Sequence, residues 1–198
     1  MSLILVVVAL LSTEQQGRAF KVGEENARDA AVEDRLDGRF IIAPKLAAGY
    51  SVAPPAGFAL RGALELGYRL PFLRGLVGLS IEPGVGGAWV AGRAGVAFSV
   101  PLLLSANIVA GPGMLRVLAG PALDWQRVEI PVAEESVSDE TFALGLAAGV
   151  SYGLLLGTGV ATGVAGIEAR YRVANVGVGG VVTTSHVLML GLVYAFFL

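Results

Sequence analysis

The chain has no cysteine among its 198 residues. It therefore has no disulfide framework, no thiolate metal site and no cysteine nucleophile. Charge is also scarce, at 15% of residues against roughly 25% in ordinary soluble domains. The formal net charge is only −2, which argues against electrostatic binding to nucleic acid. Histidine occurs once, as His186. The glycine-rich runs Gly84-Val-Gly-Gly87 and Gly177-Val-Gly-Gly180 lack the Lys-Ser/Thr partner of a phosphate loop, so they read as turns and bulges.

What is present is apolar. Hydrophobic residues make up 55% of the chain and the mean hydropathy is +0.70. Glycine is abundant at 28 residues and sits inside the apolar stretches, which is poor helix chemistry. The length suits one domain with a full core.

The run Leu3 to Leu11 is apolar and uncharged. It is too short for a membrane-spanning helix, which needs ~20 residues. It fits the apolar region of a secretory signal, with small residues at Gly17 and Ala19 suited to cleavage after Ala19. No Lys or Arg precedes it, which is unusual for a signal. Residues 1–19 are expected to be a signal peptide. Residues 20–38 crowd Lys21, Glu24, Glu25, Arg28, Asp29, Glu33, Asp34, Arg35 and Asp37 into a polar leader.

From residue 39 onward the period is two. Phe58, Leu60, Leu64, Leu66 and Tyr68 share one parity, while Arg61, Glu65 and Arg69 share the other. Successive side chains of a β-strand point to opposite faces, so each such segment has a greasy face and an ionic face. The spacing predicts eight strands, over 39–52, 58–70, 76–86, 91–107, 114–126, 141–152, 163–173 and 187–198. Pro83 has to sit at a strand end or a bulge. Short connections at 71–75, 110–113 and 154–161 alternate with others at 53–57, 86–90, 127–140 and 174–186. That is the pattern of an outer-membrane barrel with both termini periplasmic. Tyr50, Tyr68, Trp125, Tyr152 and Tyr171 fall on the apolar parity near segment ends, where interfacial girdles belong.

Residues 94–115, 150–167 and 173–198 carry no Asp, Glu, Lys or Arg and would pass a hydropathy window as helices. Pro101, the Gly111-Pro112-Gly113 cluster, Gly157 and Gly159 interrupt two of them, and strict alternation runs through the charged segments. In a soluble barrel the polar parity would face water, yet here it is rich in Gly and Ala. The expected fold is therefore an all-β, eight-stranded antiparallel up-and-down transmembrane barrel over residues 39–198. Its greasy face meets lipid and its ionic face fills the lumen.

The segments Ala63-Leu-Glu-Leu-Gly-Tyr-Arg-Leu70, Ser99-Val-Pro-Leu-Leu-Leu104, Leu118-Ala-Gly-Pro-Ala122, Gly166-Ile-Glu-Ala-Arg-Tyr171 and Leu190-Gly-Leu-Val-Tyr-Ala-Phe196 carry a resemblance. In their order, the chain resembles the small outer-membrane β-barrel families of OmpX and the OmpA membrane domain. The resemblance implies a bacterial outer-membrane location, contact with lipid, and a closing strand read by the barrel-assembly machinery. Tyr194 and Phe196 match that closing signal, with Phe197 and Leu198 extending past its usual end. It implies no reaction and no cofactor, and the chain is expected to be monomeric.

The residues expected to point into the lumen are Lys45, Arg61, Glu65, Arg69, Glu82, Arg93, Arg116, Asp124, Glu168, Arg170 and Arg172. Buried charges must be paired and hydrogen-bonded. They are expected to form a salt-bridge network that fills the barrel, in a protein with a structural or surface-interaction role. A narrow polar pore is the alternative. A third reading, a lipid-modifying enzyme, rests on His186 beside Ser185, Thr184 and Thr183. Adjacent strand residues point apart, and no acidic residue lies nearby in the chain to orient the ring. Glu134, Glu135, Asp139 and Glu140 suggest cation binding, but their spacing matches no calcium loop.

Overall fold

A computed structural model describes residues 40–51, 57–70, 76–90, 93–132, 135–156, 163–178 and 181–198. The expected signal peptide and leader lie outside the described residues. The elements are β1 (Phe40–Ser51), β2 (Gly57–Arg69), β3 (Val77–Ile81), β4 (Gly84–Val90), β5 (Arg93–Ala110), β6 (Gly113–Val132), β7 (Glu135–Leu156), β8 (Gly163–Val178) and β9 (Val181–Phe197). All neighbours are antiparallel, and β1 pairs with both β2 and β9, which closes the sheet into a ring.

Nine elements make eight staves, because β3 and β4 are two halves of one strand. Both pair with β2 on one side and β5 on the other. Pro83 accounts for the break, since it has no N–H to give the ladder. The register does not slip across it: Leu66 pairs Ile81 below the break and Ala63 pairs Gly84 above it. Leu64 N donates to Pro83 O and Glu82 N to Pro101 O, each at 3.0 Å. Pro83 therefore sits mid-stave without a bulge, rather than at the strand end or bulge its chemistry suggested.

A second difference concerns the outer connections. The stretches 86–90, 127–140 and 174–186 were expected to be links or loops. Instead β4 runs to Val90, β6 to Val132 and β8 to Val178, and each return strand starts within three residues. The β6–β7 ladder is paired from Gly113 with Leu154 to Val132 with Glu135. Antiparallel strands satisfy each other's backbone, so pairing continues where the apolar alternation stops. Val128, Ile130, Val132 and Val137 are β-branched and suit such an extension.

At the opposite end, Ala110 pairs Gly113 around a two-residue turn, Gly111-Pro112. Gly111 has φ of 58°, a conformation an L-residue with a Cβ resists. Proline locks φ negative, so the pair fits a type II′ hairpin turn.

Candidate functional site

The outward parity of the staves is apolar and exposed, from Leu60, Leu64 and Leu66 on β2 to Leu188, Leu190 and Leu192 on β9. Phe142 is 82% exposed and Leu144 69%. Exposed apolar surface on this scale is built to meet a non-aqueous partner.

Aromatic side chains bound this belt at both ends. Toward the β6–β7 end, Tyr50 stands opposite Phe58 and Phe58 opposite Trp89, while Trp125 stands between Phe98 and Phe142. Toward the chain ends, Phe40 packs edge-on against Tyr68 at 5.2 Å and Tyr194 against Phe196 at 4.6 Å. Phe40 and Tyr50 are ten residues apart on β1, or about 33 Å along the strand. Tilted by the usual ~40°, that gives a belt of about 25 Å, the apolar height of a transmembrane barrel. Just past Trp125 and Phe142, the facing residues Arg127 and Glu140 are half exposed, 3.9 Å apart, and mark where water begins.

The inward parity carries the charges. Lys45 is the hub: its Nζ lies 2.8 Å from Glu65, 2.8 Å from Glu82 and 2.7 Å from Glu168. Arg61 Nη1 donates to Glu82 Oε1 at 2.5 Å, and Arg170 pairs with the same oxygen. Arg170 also lies 2.7 Å from Glu168. Arg116 forks onto both oxygens of Glu65, at 2.6 and 3.2 Å, and donates through Nε to Asn107 Oδ1 at 2.9 Å. Arg172 pairs with Asp124 and donates to Ser99 Oγ at 2.9 Å. Such shared, charge-assisted contacts are what buried ions require.

Nine of the eleven residues expected in the lumen are brought together in this way. Arg69 lies at the mouth near the chain ends, with its guanidinium 5.7 Å from the Phe197 ring. Only the backbone of Arg93 is described. Ser99 and Asn107, which cap the arginines, were not anticipated, although both lie on the inward parity.

The lumen also has an apolar part. Ile41, Ala43, Met114, Val164, Val193, Ala195 and Phe197 form a buried cluster at the chain-end mouth, with Phe197 only 4% exposed. A second cluster of Leu103, Leu118 and Ala147 packs farther in. The charge pattern alone does not signal this plug. Its signal was the inward parity of Ile41, Met114 and Phe197 at strand ends.

His186 faces outward, with Nδ1 2.5 Å from Tyr171 Oη. Ser185 points the other way, 3.2 Å from Ser51 Oγ. The two do not meet, as strand alternation requires. The acidic side chains Glu134, Glu135 and Asp139 lie outside those described, and no metal-holding cluster occurs among the described residues.

These features define a class: a small antiparallel barrel with a hydrocarbon-facing wall and a lumen filled by its own side chains. Solved β-barrel structures match its fold. Neisserial surface protein A is 16% identical over 80% of this chain and 97% of that one, with a TM-score of 0.51. The N-terminal β-barrel domain of Pseudomonas aeruginosa OprF is 16% identical over 80% and 99%, also at 0.51. No family model and no curated protein matches the chain.

Proposed function

We propose that the chain is a bacterial outer-membrane protein whose barrel is an anchor and whose β6–β7 hairpin is its contact element. In this reading residues 1–19 direct export and residues 20–38 remain in the periplasm. Tyr194 and Phe196 serve the assembly machinery, and the barrel works as a monomer without enzyme activity.

The observation that carries the proposal is the length of β6 and β7. They run for 20 and 22 residues, where a tilted membrane strand needs ~9–11. Beyond the Arg127–Glu140 pair about five residues of each strand remain, roughly 17 Å of paired backbone past the belt. Two-stranded ribbons are marginal in water, and this one is anchored by the wall beneath it.

The test compares cells producing the whole chain with cells in which residues 128–139 are replaced by an Asn-Gly turn. Equal amounts of heat-modifiable barrel with adhesion lost only in the shortened form support the contact role. Equal adhesion by both forms removes it. A narrow pore is the second reading; it needs a path past the apolar cluster and the ionic layer, which share one narrow lumen. The enzyme alternative predicts altered lipid A masses on expression; the proposal predicts none.

A further inference from the structure

Among the described side chains the buried ionic layer is not charge-balanced. Among the described residues, the layer above the apolar plug holds five cationic side chains and four carboxylates. An uncompensated charge removed from water is costly, and a protein either neutralises it or supplies a counterion.

The surplus can be located. Arg61 and Arg170 share Glu82 Oε1; Arg170 also reaches Glu168, which Lys45 already holds, and Arg61 also donates to the Glu82 carbonyl. Arg172 lies two residues farther along β8 on the same face, spending Nη2 on Ser99 and Asp124. The Nε donors of all three arginines are buried and have no hydrogen-bond partner. Arg61 is 6% exposed and Arg170 3%. Glycines on the wall let these side chains lie flat against it. A Cβ on Gly84 would come within 2.6 Å of Arg61 Nη2, and one on Gly145 within 2.7 Å of Asp124 Oδ2. Cross-strand register places Arg61, Gly86, Gly84, Ser99 and Asp124 on adjoining staves. This patch is on the hairpin side of the Lys45 hub, away from the plug.

We infer that the lumen binds a small monovalent anion of the halide class among Arg61, Arg170 and Arg172. The anion accepts from the unpartnered Nε–H groups and balances the surplus charge. Asp124 Oδ2, also unpartnered, accepts from a water that enters with it. Entry is from the outer side, because the apolar cluster packs inside the other mouth. The site needs only the described lumen and does not depend on the hairpin's role.

The test uses the full chain folded in detergent and heated in sodium chloride, sodium bromide or sodium gluconate at equal ionic strength. Gluconate is a monovalent anion far bulkier than a halide. A ligand that binds only the folded state raises the midpoint, here by about 3–5 °C in halide over gluconate. Arg61→Gln removes the surplus charge while Glu82 keeps Lys45 and Arg170, and it should cut that shift to under about 1 °C. Ser99→Asp supplies a fixed carboxylate beside Arg172 and should also abolish the shift, which keeps the test open if the first variant fails to fold. Anomalous diffraction from a bromide-soaked crystal should show a peak in contact with the three guanidinium groups. Identical midpoints in halide and gluconate, or an undiminished halide shift in a folded variant, would overturn the inference.

Discussion

Lys45 is the residue on which the lumen depends most. One ammonium touches three carboxylates from three other strands, at 2.7 to 2.8 Å. Replacing it with an apolar side chain of similar length leaves three buried anions with one fewer cation among them. Breaking a buried ion pair by removing one partner costs about 3–5 kcal/mol. Lys45→Met is therefore expected to lower the unfolding free energy by about that amount. Urea unfolding in detergent, followed by the emission of Trp89 and Trp125, measures it. Ser151→Ala, which removes one buried hydroxyl on the same side of the wall, should cost no more than about 1 kcal/mol. Comparable losses for both variants would mean that Lys45 is not the hub.

At the scale of the element, the turns and the split stave set the register. Gly111 holds φ of 58° in the two-residue turn between β5 and β6. A β-branched side chain there is strained by roughly 1–2 kcal/mol. Gly111→Val should destabilise the barrel by about that much, whereas Gly62→Ala, where an added Cβ meets nothing within 4 Å, should change stability by less than about 0.5 kcal/mol. Parallel thermal melts in detergent read the contrast. The elements also show what could be read in the chain. Alternation placed every stave, because one face had to be apolar throughout. It did not place the strand ends beyond the belt, since there Glu129, Pro131 and the neighbouring acidic residues break the outward apolar pattern and pairing is set by the partner strand. That is why 127–140 looked like a loop and became paired hairpin. Pro83 was legible as a break. That the ladder keeps its register across it follows only from β2 and β5 on either side.

For the whole molecule, two properties of the lumen act together. The ionic layer spans its middle and the apolar cluster around Phe197 packs inside the chain-end mouth. The residues of the ionic layer were readable from parity, but their partners were not, because pairing is fixed by the tilt and stagger of a closed ring. A stacked ionic and apolar filling should not pass ions. Planar bilayers containing the purified barrel are expected to show no conductance steps above background. Regular steps would mean that the plug opens and would restore the pore reading. The same closure explains why the chain tolerates so much glycine: several inward glycines sit where a Cβ would strike a neighbouring strand or a guanidinium.

Which face of the wall meets lipid decides the fold and the role of the lumen alike, and the absence of cysteine makes it directly measurable. Single cysteines placed from Leu60 to Tyr68, labelled with an environment-sensitive fluorophore in lipid vesicles, can be quenched by brominated acyl chains. Quenching should alternate strictly, strong at 60, 64, 66 and 68 and weak at 61, 63, 65 and 67. A reversed alternation, or a period near 3.6, would contradict the barrel described here.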